Sequence, residues 1–211
     1  MELLTDDVQN YLEQHCEEES ELLRYISRET HLKVPKARML SGHYQGRVLS
    51  FLSKMQQPNR VLEIGTFTGY ATLCLAEGLT EDGLLYTIDV NEELEERVRA
   101  YFKSSQLGNK IVYHIGQAVE VIPTLNDSFD LVFIDADKKN NGVYYDMVFD
   151  KVAKGGLIIV DNVLWHGKIA AGAKDKDTQN ISTFNDKVTN DHRVEKLILP
   201  VRDGLLIIRK K

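Results

Sequence analysis

The chain has 211 residues and carries 32 Asp and Glu against 26 Lys and Arg. Its formal net charge of −6 argues against a nucleic acid backbone as main partner, since phosphate binding draws on clustered Lys and Arg. No apolar run approaches the ~18 to 20 residues of a membrane span, and Met1-Glu2-Leu3-Leu4-Thr5-Asp6-Asp7 is acidic where a signal peptide is basic. Cys16 and Cys74 lie far apart without metal-type spacing. The expectation is one domain over residues 1–211, cytoplasmic and reduced, with no membrane contact.

From Thr5 to His31, Val8, Tyr11, Leu12, Leu22, Leu23, Tyr25 and Ile26 recur at helical spacing, with Thr5 as N-cap. The acidic run Glu17-Glu18-Glu19 reads as a solvated helix face or turn in preference to a recognition tail. Leu32 to Ser41, with Pro35 and several basic residues, reads as a loop, and Gly42 to Met55 as a helix ended by Pro58-Asn59. Residues 1–56 thus form a helical cap before a stretch, 57–211, in which strands and helices alternate. The predicted strands are Val61–Ile64, Leu84–Ile88, Ile111–Ile115, Leu131–Ile134, Leu157–Val160, Val194–Leu199 and Leu205–Arg209. Between them the pattern predicts helices over Tyr70–Glu77, Glu92–Gln106 with Asn91 as cap, Gln117–Leu125, Gly142–Val152 and Thr178–Asn190. Five strand and helix alternations and a closing pair of strands indicate a parallel α/β sheet with an antiparallel addition at one edge.

The stretch FDLVFIDADK, residues 129–138, organises this pattern. Leu131-Val132-Phe133-Ile134 is an undiluted apolar run that empties into Asp135, Asp137 and Lys138, as a strand buried on both faces does where its carboxyl end opens into a site. Leu157 to Val160 behaves the same way and empties into Asp161 and Asn162. If the two strands are neighbours, Asp135, Asp161 and Asn162 can meet on one hard cation, which prefers oxygen ligands. Asp137 and Lys138 can also simply cap the following helix or pair with each other. The first strand-to-helix turn, Glu63-Ile64-Gly65-Thr66-Phe67-Thr68-Gly69-Tyr70, lacks the G-x-G-x-x-G of a dinucleotide site because Thr66 stands between Gly65 and Phe67. An acid before the turn and Asp89 ending the second strand suit a ligand with a ribose and a positive charge and disfavour a pyrophosphate; Glu63 as a satisfied half-buried acid is the alternative.

Five motifs in order, LEIGTFTGY at 62–70, YTIDVN at 86–91, FIDADK at 133–138, GGLIIVDNVLWHG at 155–167 and LPVRDGLLI at 199–207, resemble the cation-dependent O-methyltransferases that use S-adenosylmethionine. The match is nearest to the caffeoyl-CoA O-methyltransferase branch and its bacterial relatives. The resemblance implies a class I S-adenosylmethionine-dependent methyltransferase (Rossmann-like) fold: a seven-stranded, mostly parallel sheet with an antiparallel last strand, behind extra N-terminal helices. It also implies a homodimer and a bound Mg2+, or another divalent cation such as Mn2+ or Ca2+. Carried over by position, it places Met39, Ser41, Glu63, Gly65, Thr66, Tyr70, Ala71, Asp89, Val90, Ala118 and Asp135 around the cofactor. Asp135, Asp161 and Asn162 become the metal ligands and Lys138 the general base. Trp165 and Arg202 stand where the acceptor would lie, although a lone Trp after a strand is as often a packing residue.

Three departures mark this chain. Ala71 replaces a serine common after the tyrosine of the glycine turn, and Arg202 stands where a glycine is common. Leu197 occupies the position of an acid used by the animal catechol enzymes. The resemblance therefore implies methyl transfer to a phenolic vicinal diol of the catechol or caffeoyl type. A hydroxylated wobble uridine of tRNA is the alternative acceptor, and a non-enzymatic module of the same fold is a third reading. Lys33, Lys36, Arg38 and Arg47 are the basic residues expected at the entrance, for the phosphates of either coenzyme A or RNA.

Overall fold

The computed structural model describes residues 5–211; residues 1–4, the first part of the acidic N-terminal stretch, lie outside the described residues. Seven strands form one sheet: β1 (Arg60–Ile64), β2 (Leu84–Asp89), β3 (Ile111–Ile115), β4 (Phe129–Ile134), β5 (Val152–Asp161), β6 (Val194–Leu199) and β7 (Leu205–Lys210). Their order is β3-β2-β1-β4-β5-β7-β6. The first five are parallel, and β7 runs antiparallel to both β5 and β6. The antiparallel addition thus lies at one edge, as the closing pair of strands, with β7 inside and β6 outermost. The sequence of the hairpin explains the order of the two: Leu205, Leu206 and Ile208 of β7 are buried, whereas Glu195 and Lys196 of β6 are exposed. The more apolar strand takes the interior place, and the charged one blunts the edge.

The helices are α1 (Asp6–Gln14), α2 (Glu21–Lys33), α3 (Gly42–Gln56), α4 (Tyr70–Ala76), α5 (Glu95–Ser104), α6 (Ala118–Val121), α7 (Asn141–Phe149) and α8 (Lys176–Thr189). They cover both faces of the sheet. Leu23, Ile26, Leu49, Leu75, Val98 and Phe102 pack on one face, against Val61, Leu131, Phe133 and Ile159. Tyr145, Val148, Phe149, Phe184 and Val188 pack on the other, against Leu62, Ile64, Val132, Ile134 and Ile158. Successive residues of β1 and β4 thus point into opposite cores, which is why these strands read as unbroken apolar runs. α2 and α3 of the helical cap share their core with the sheet.

Three predicted elements differ. The N-terminal helical stretch is two helices, because Ser20 accepts from the Leu23 N–H at 3.2 Å and so starts α2 afresh. Glu17 to Glu19 lie in the intervening turn. α2 also runs on to Lys33, and Ala37–Met39 form a single 3-10 turn inside the predicted loop. β5 begins at Val152, within the predicted Gly142–Val152 helix, and continues through Gly155, whose φ of +81° belongs to a bulge where the pairing with β4 slips between Phe129 and Leu131. A Gly-Gly pair reads as a break in a one-dimensional pattern, whereas here it bends a strand. Among the described residues no helix is long and apolar enough to cross a membrane.

β4 and β5 are neighbours in register, Ile134 opposite Val160, and β1 lies on the other side of β4, Ile64 opposite Ile134. Parallel neighbours are about 4.8 Å apart. The carboxyl ends of three strands therefore deliver Gly65, Asp135 and Asp161 to one place.

Candidate active site

The glycine turn is fixed by backbone contacts to both adjacent strands. The Gly65 N–H donates to the Ile88 carbonyl at 2.9 Å, and the Asp135 N–H donates to the Ile64 carbonyl at 2.9 Å. Gly65 has φ +103°, and a Cβ there would lie 2.3 Å from the carbonyl oxygen of Asp135. Both conformation and space therefore demand glycine. Asp89 holds the other side of the turn, accepting from the Phe67 N–H at 2.7 Å and the Asn91 N–H at 2.9 Å.

Glu63 is wholly buried. Its Oε2 accepts from the hydroxyls of Thr72 and Thr87, the latter at 2.5 Å, and Thr87 in turn meets Thr66 at 2.6 Å. Its Oε1 is buried and has no hydrogen-bond partner within the chain. Burial is the main cause that pushes its pKa up to about 8 from 4.5, with Asp135 and Asp89 adding to it against the two threonines. The unfolded chain ionises this carboxyl above pH 4.5 while the folded protein resists until about pH 8, so folding stability falls as pH rises across that window. Glu63→Gln is expected to remove this slope: thermal melts of the two proteins coincide near pH 4, and the variant melts higher at pH 8.

At the strand ends, Asp161 is 2 % exposed. Burial first, and then the charge of Asp135, raise its pKa, opposed by Lys138, Gln45 and Arg202. Its Oδ2 accepts from Gln45 Nε2 at 2.7 Å and its Oδ1 from the Asn162 N–H at 2.6 Å. Asn162 adopts φ +63°, the left-handed conformation that Asn tolerates better than most residues. Lys138 donates to Asp135 Oδ1 at 2.7 Å. It does not pair with Asp137, which accepts from Tyr144 at 2.5 Å and from Asn140 at 2.6 Å. The carboxylates of Asp135 and Asp161 thus stand together, with Asn162 next in the chain, a donor set suited to a hard divalent cation. Among the described residues, no group of three or more His, Cys, Asp or Glu is placed to hold a metal ion, so this set reaches three donors only by including Asn162.

The remaining candidates are placed as follows. Ser41 is buried and Met39 exposed; together with Leu40 they face Gly65, Thr66 and Tyr70 across a cavity of about 20 Å³ that Ala71 and Asp135 also line. The Tyr70 ring is buried, and its hydroxyl is turned away to Glu19, so part of the acidic run of the N-terminal turn is structural. Ala118 is buried at the start of α6, and Val90 is exposed beyond Asp89. Trp165 is half-buried with φ +47°, and its indole nitrogen has no hydrogen-bond partner within the chain. The following His166 N–H is held by Asp203.

Arg202 is turned inward, donating to the carbonyls of Leu40 at 2.8 Å and Ser41 at 2.7 Å and to Gln45 Oε1 at 3.3 Å. Arg47 is withdrawn from the expected basic entrance, since it donates to both oxygens of Glu77 at 2.8 and 3.1 Å and is only 10 % exposed. Lys36 and Arg38 stay exposed there. Sequence reasoning missed Gln45. The available signal was its spacing from Leu49 and Leu52, which puts a polar side chain on the buried stripe of α3.

Comparison with known proteins agrees with this architecture. A family model described as O-methyltransferase matches residues 13–211. The caffeoyl-CoA O-methyltransferase of Mesembryanthemum crystallinum is 34% identical, covering 84% of this chain and 75% of its own; that of Petroselinum crispum is 33% identical, covering 87% and 81%. Among solved structures, the SAH-bound Podospora anserina methyltransferase PaMTH1 superposes with a TM-score of 0.90 at 28% identity, over 98% of this chain and 94% of that one. The O-methyltransferase TomG from Streptomyces achromogenes, in complex with SAM, gives 0.87 at 25%, over 97% and 96%. The sheet is that of the class I S-adenosylmethionine-dependent methyltransferases, and the chain belongs to the O-methyltransferase family.

Proposed function

We propose that this chain transfers the methyl group of S-adenosylmethionine to one hydroxyl of a phenolic vicinal diol, of the catechol or caffeoyl type, with a divalent cation held by Asp135, Asp161 and Asn162. The observation that carries the reading is the pairing of Asp135 and buried Asp161 at the in-register ends of β4 and β5, beside a glycine turn backed by Glu63. Two acids so placed repel each other, and a hard cation offsets that repulsion. The unpartnered Glu63 Oε1 likewise suits a cofactor with positive charge and no pyrophosphate.

S-adenosylmethionine supplies the methyl group, and the divalent cation, magnesium or a similar ion, supplies the Lewis acidity that eases loss of the acceptor proton. The chain's own part is positioning and proton transfer. Glu63 and the backbone at Gly65 hold the methionine end, with Thr66, Tyr70 and Ala71 beside it, and Met39 and Ser41 close over it. Asp89 accepts the ribose hydroxyls, and Ala118 and Val90 flank the adenosine. Asp135, Asp161 and Asn162 would fix the acceptor end, and Lys138 would take the acceptor proton as a neutral amine, having first given up its own proton to solvent. Orienting both reactants in one cleft contributes most of the rate. Trp165 walls the acceptor pocket, and Lys36 and Arg38 supply positive charge at its mouth.

Exposed Phe51 and Met55 on α3 and Leu197 on β6 support a homodimer, because large apolar side chains of this kind gain by burial between subunits. Cys16 and Cys74 are free thiols, which supports a reduced, cytoplasmic setting. The test of the acceptor is labelled-methyl transfer from S-adenosylmethionine, with magnesium, to caffeoyl-CoA, caffeic acid, simple catechols and unmethylated tRNA. Labelling of the phenols is the expected result; labelling of tRNA alone would reassign the acceptor to a hydroxylated wobble uridine.

A further inference from the structure

The segment from Lys36 to Ser41 crosses the glycine turn as a strap. The strap lies close on the turn, with a cavity of about 20 Å³ between them, so it covers the place where the methionine end of a cofactor would lie. The strap's own hydrogen bonds are few: Met39 N–H to Lys36 O at 2.9 Å and Leu40 N–H to Ala37 O at 3.0 Å. What ties it down comes from the far end of the chain. Arg202 Nη1 reaches the Leu40 and Ser41 carbonyls at 2.8 and 2.7 Å, and Nη2 reaches the Arg38 carbonyl at 3.2 Å. To present this fork Arg202 adopts φ +46°, a conformation that favours glycine and strains most other residues.

The same guanidinium donates to Gln45 Oε1 at 3.3 Å, while Gln45 Nε2 donates to Asp161 Oδ2 at 2.7 Å. Chemistry fixes the direction of this relay. An arginine only donates and a carboxylate only accepts, so the side chain between them needs an acceptor on one end and a donor on the other, as an amide has. Gln45 is fully buried.

We propose that Arg202 is a positioning residue, a latch that holds the strap closed over the glycine turn, and that Gln45 couples this closure to the carboxylate of Asp161. On the proposed function the turn receives S-adenosylmethionine and Asp161 a cation, and the coupling rests on that reading. When the strap opens, Gln45 loses the bond that orients its amide, and Asp161 loses a fixed donor. When Asp161 is fixed, Gln45 presents its oxygen to Arg202 and favours closure. Linkage makes the effect reciprocal: whatever steadies Asp161 tightens cofactor binding, and the converse.

Two readouts on the full chain test this. The first is amide hydrogen exchange over residues 36–42, and the second is calorimetric titration with S-adenosylhomocysteine in Mn2+ and in EDTA. Arg202→Gly removes the fork and relieves the backbone, so it folds; strap exchange should accelerate by about tenfold or more, the scale for losing bonds to a charged donor. Arg202→Lys, which lacks the planar fork, should fall between. In the native protein Mn2+ should tighten S-adenosylhomocysteine binding, and Gln45→Glu, which sets an acceptor against Asp161, should abolish that gain while the strap stays protected. Unchanged strap exchange in Arg202→Gly overturns the latch. A native protein indifferent to Mn2+, or a gain retained in Gln45→Glu, overturns the coupling. If the native protein binds no S-adenosylhomocysteine at all, the proposed function fails, and the exchange data alone decide the latch.

Discussion

Asp161→Asn is expected to lower methyl transfer about 10²- to 10³-fold, the scale for removing one preorganised electrostatic group from an active site. The fold should not suffer. Asp161 is buried beside the carboxylate of Asp135, so a neutral amide of the same shape relieves repulsion and keeps the Gln45 hydrogen bond, while giving up the one from the Asn162 N–H. The metal-free variant should therefore melt no lower than the native protein, and calorimetry in EDTA should find its S-adenosylhomocysteine affinity within a few-fold of native. Low activity together with a lowered melting temperature would instead mark Asp161 as a structural residue. Stability gained where function is lost is the usual sign of a site built against the fold's own preference.

Gly65→Ala should be the most damaging single-methyl change in the turn. Its Cβ would press on the Asp135 carbonyl at 2.3 Å, and φ +103° is closed to alanine. The contact is backbone on backbone, so no side chain can swing aside, and the cost should be on the order of 4 kcal/mol, at the upper end for single substitutions. Because the crowded carbonyl belongs to Asp135, cofactor binding and cation binding should fail together. Gly142→Ala is the control: no atom lies within 4 Å of its added Cβ, the position is in α7, and a gain of about 0.5–1 kcal/mol follows from helix propensity. Equal melting temperatures for the two variants would show that the turn has slack that this geometry denies.

The sequence made the centre of the fold legible because β1, β4 and β5 are buried on both faces. Runs such as Leu131 to Ile134 have a single reading, and the acids that end them mark the open side of the sheet. Where two apolar strands compete for one interior place, as β6 and β7 do, the pattern names both and does not rank them. The start of β5 was hidden by Gly155-Gly156, which is a bulge in three dimensions and a break in one. Among the candidate residues, Asp135, Asp161, Asn162 and Lys138 are brought together because each is local to a strand end. Gln45 and Arg202 were not legible in their present contacts. A buried glutamine looks like helix surface, and an arginine in a hairpin looks like a ligand contact, until residues far apart in the chain meet.

The measurement that bears most directly on the whole account is labelled-methyl transfer from S-adenosylmethionine to caffeoyl-CoA, run in EDTA and again after magnesium is restored. Loss of transfer in EDTA and full recovery with magnesium is the result predicted by a cation at Asp135, Asp161 and Asn162. Undiminished transfer in EDTA would contradict it, leaving those carboxylates without the role assigned to them.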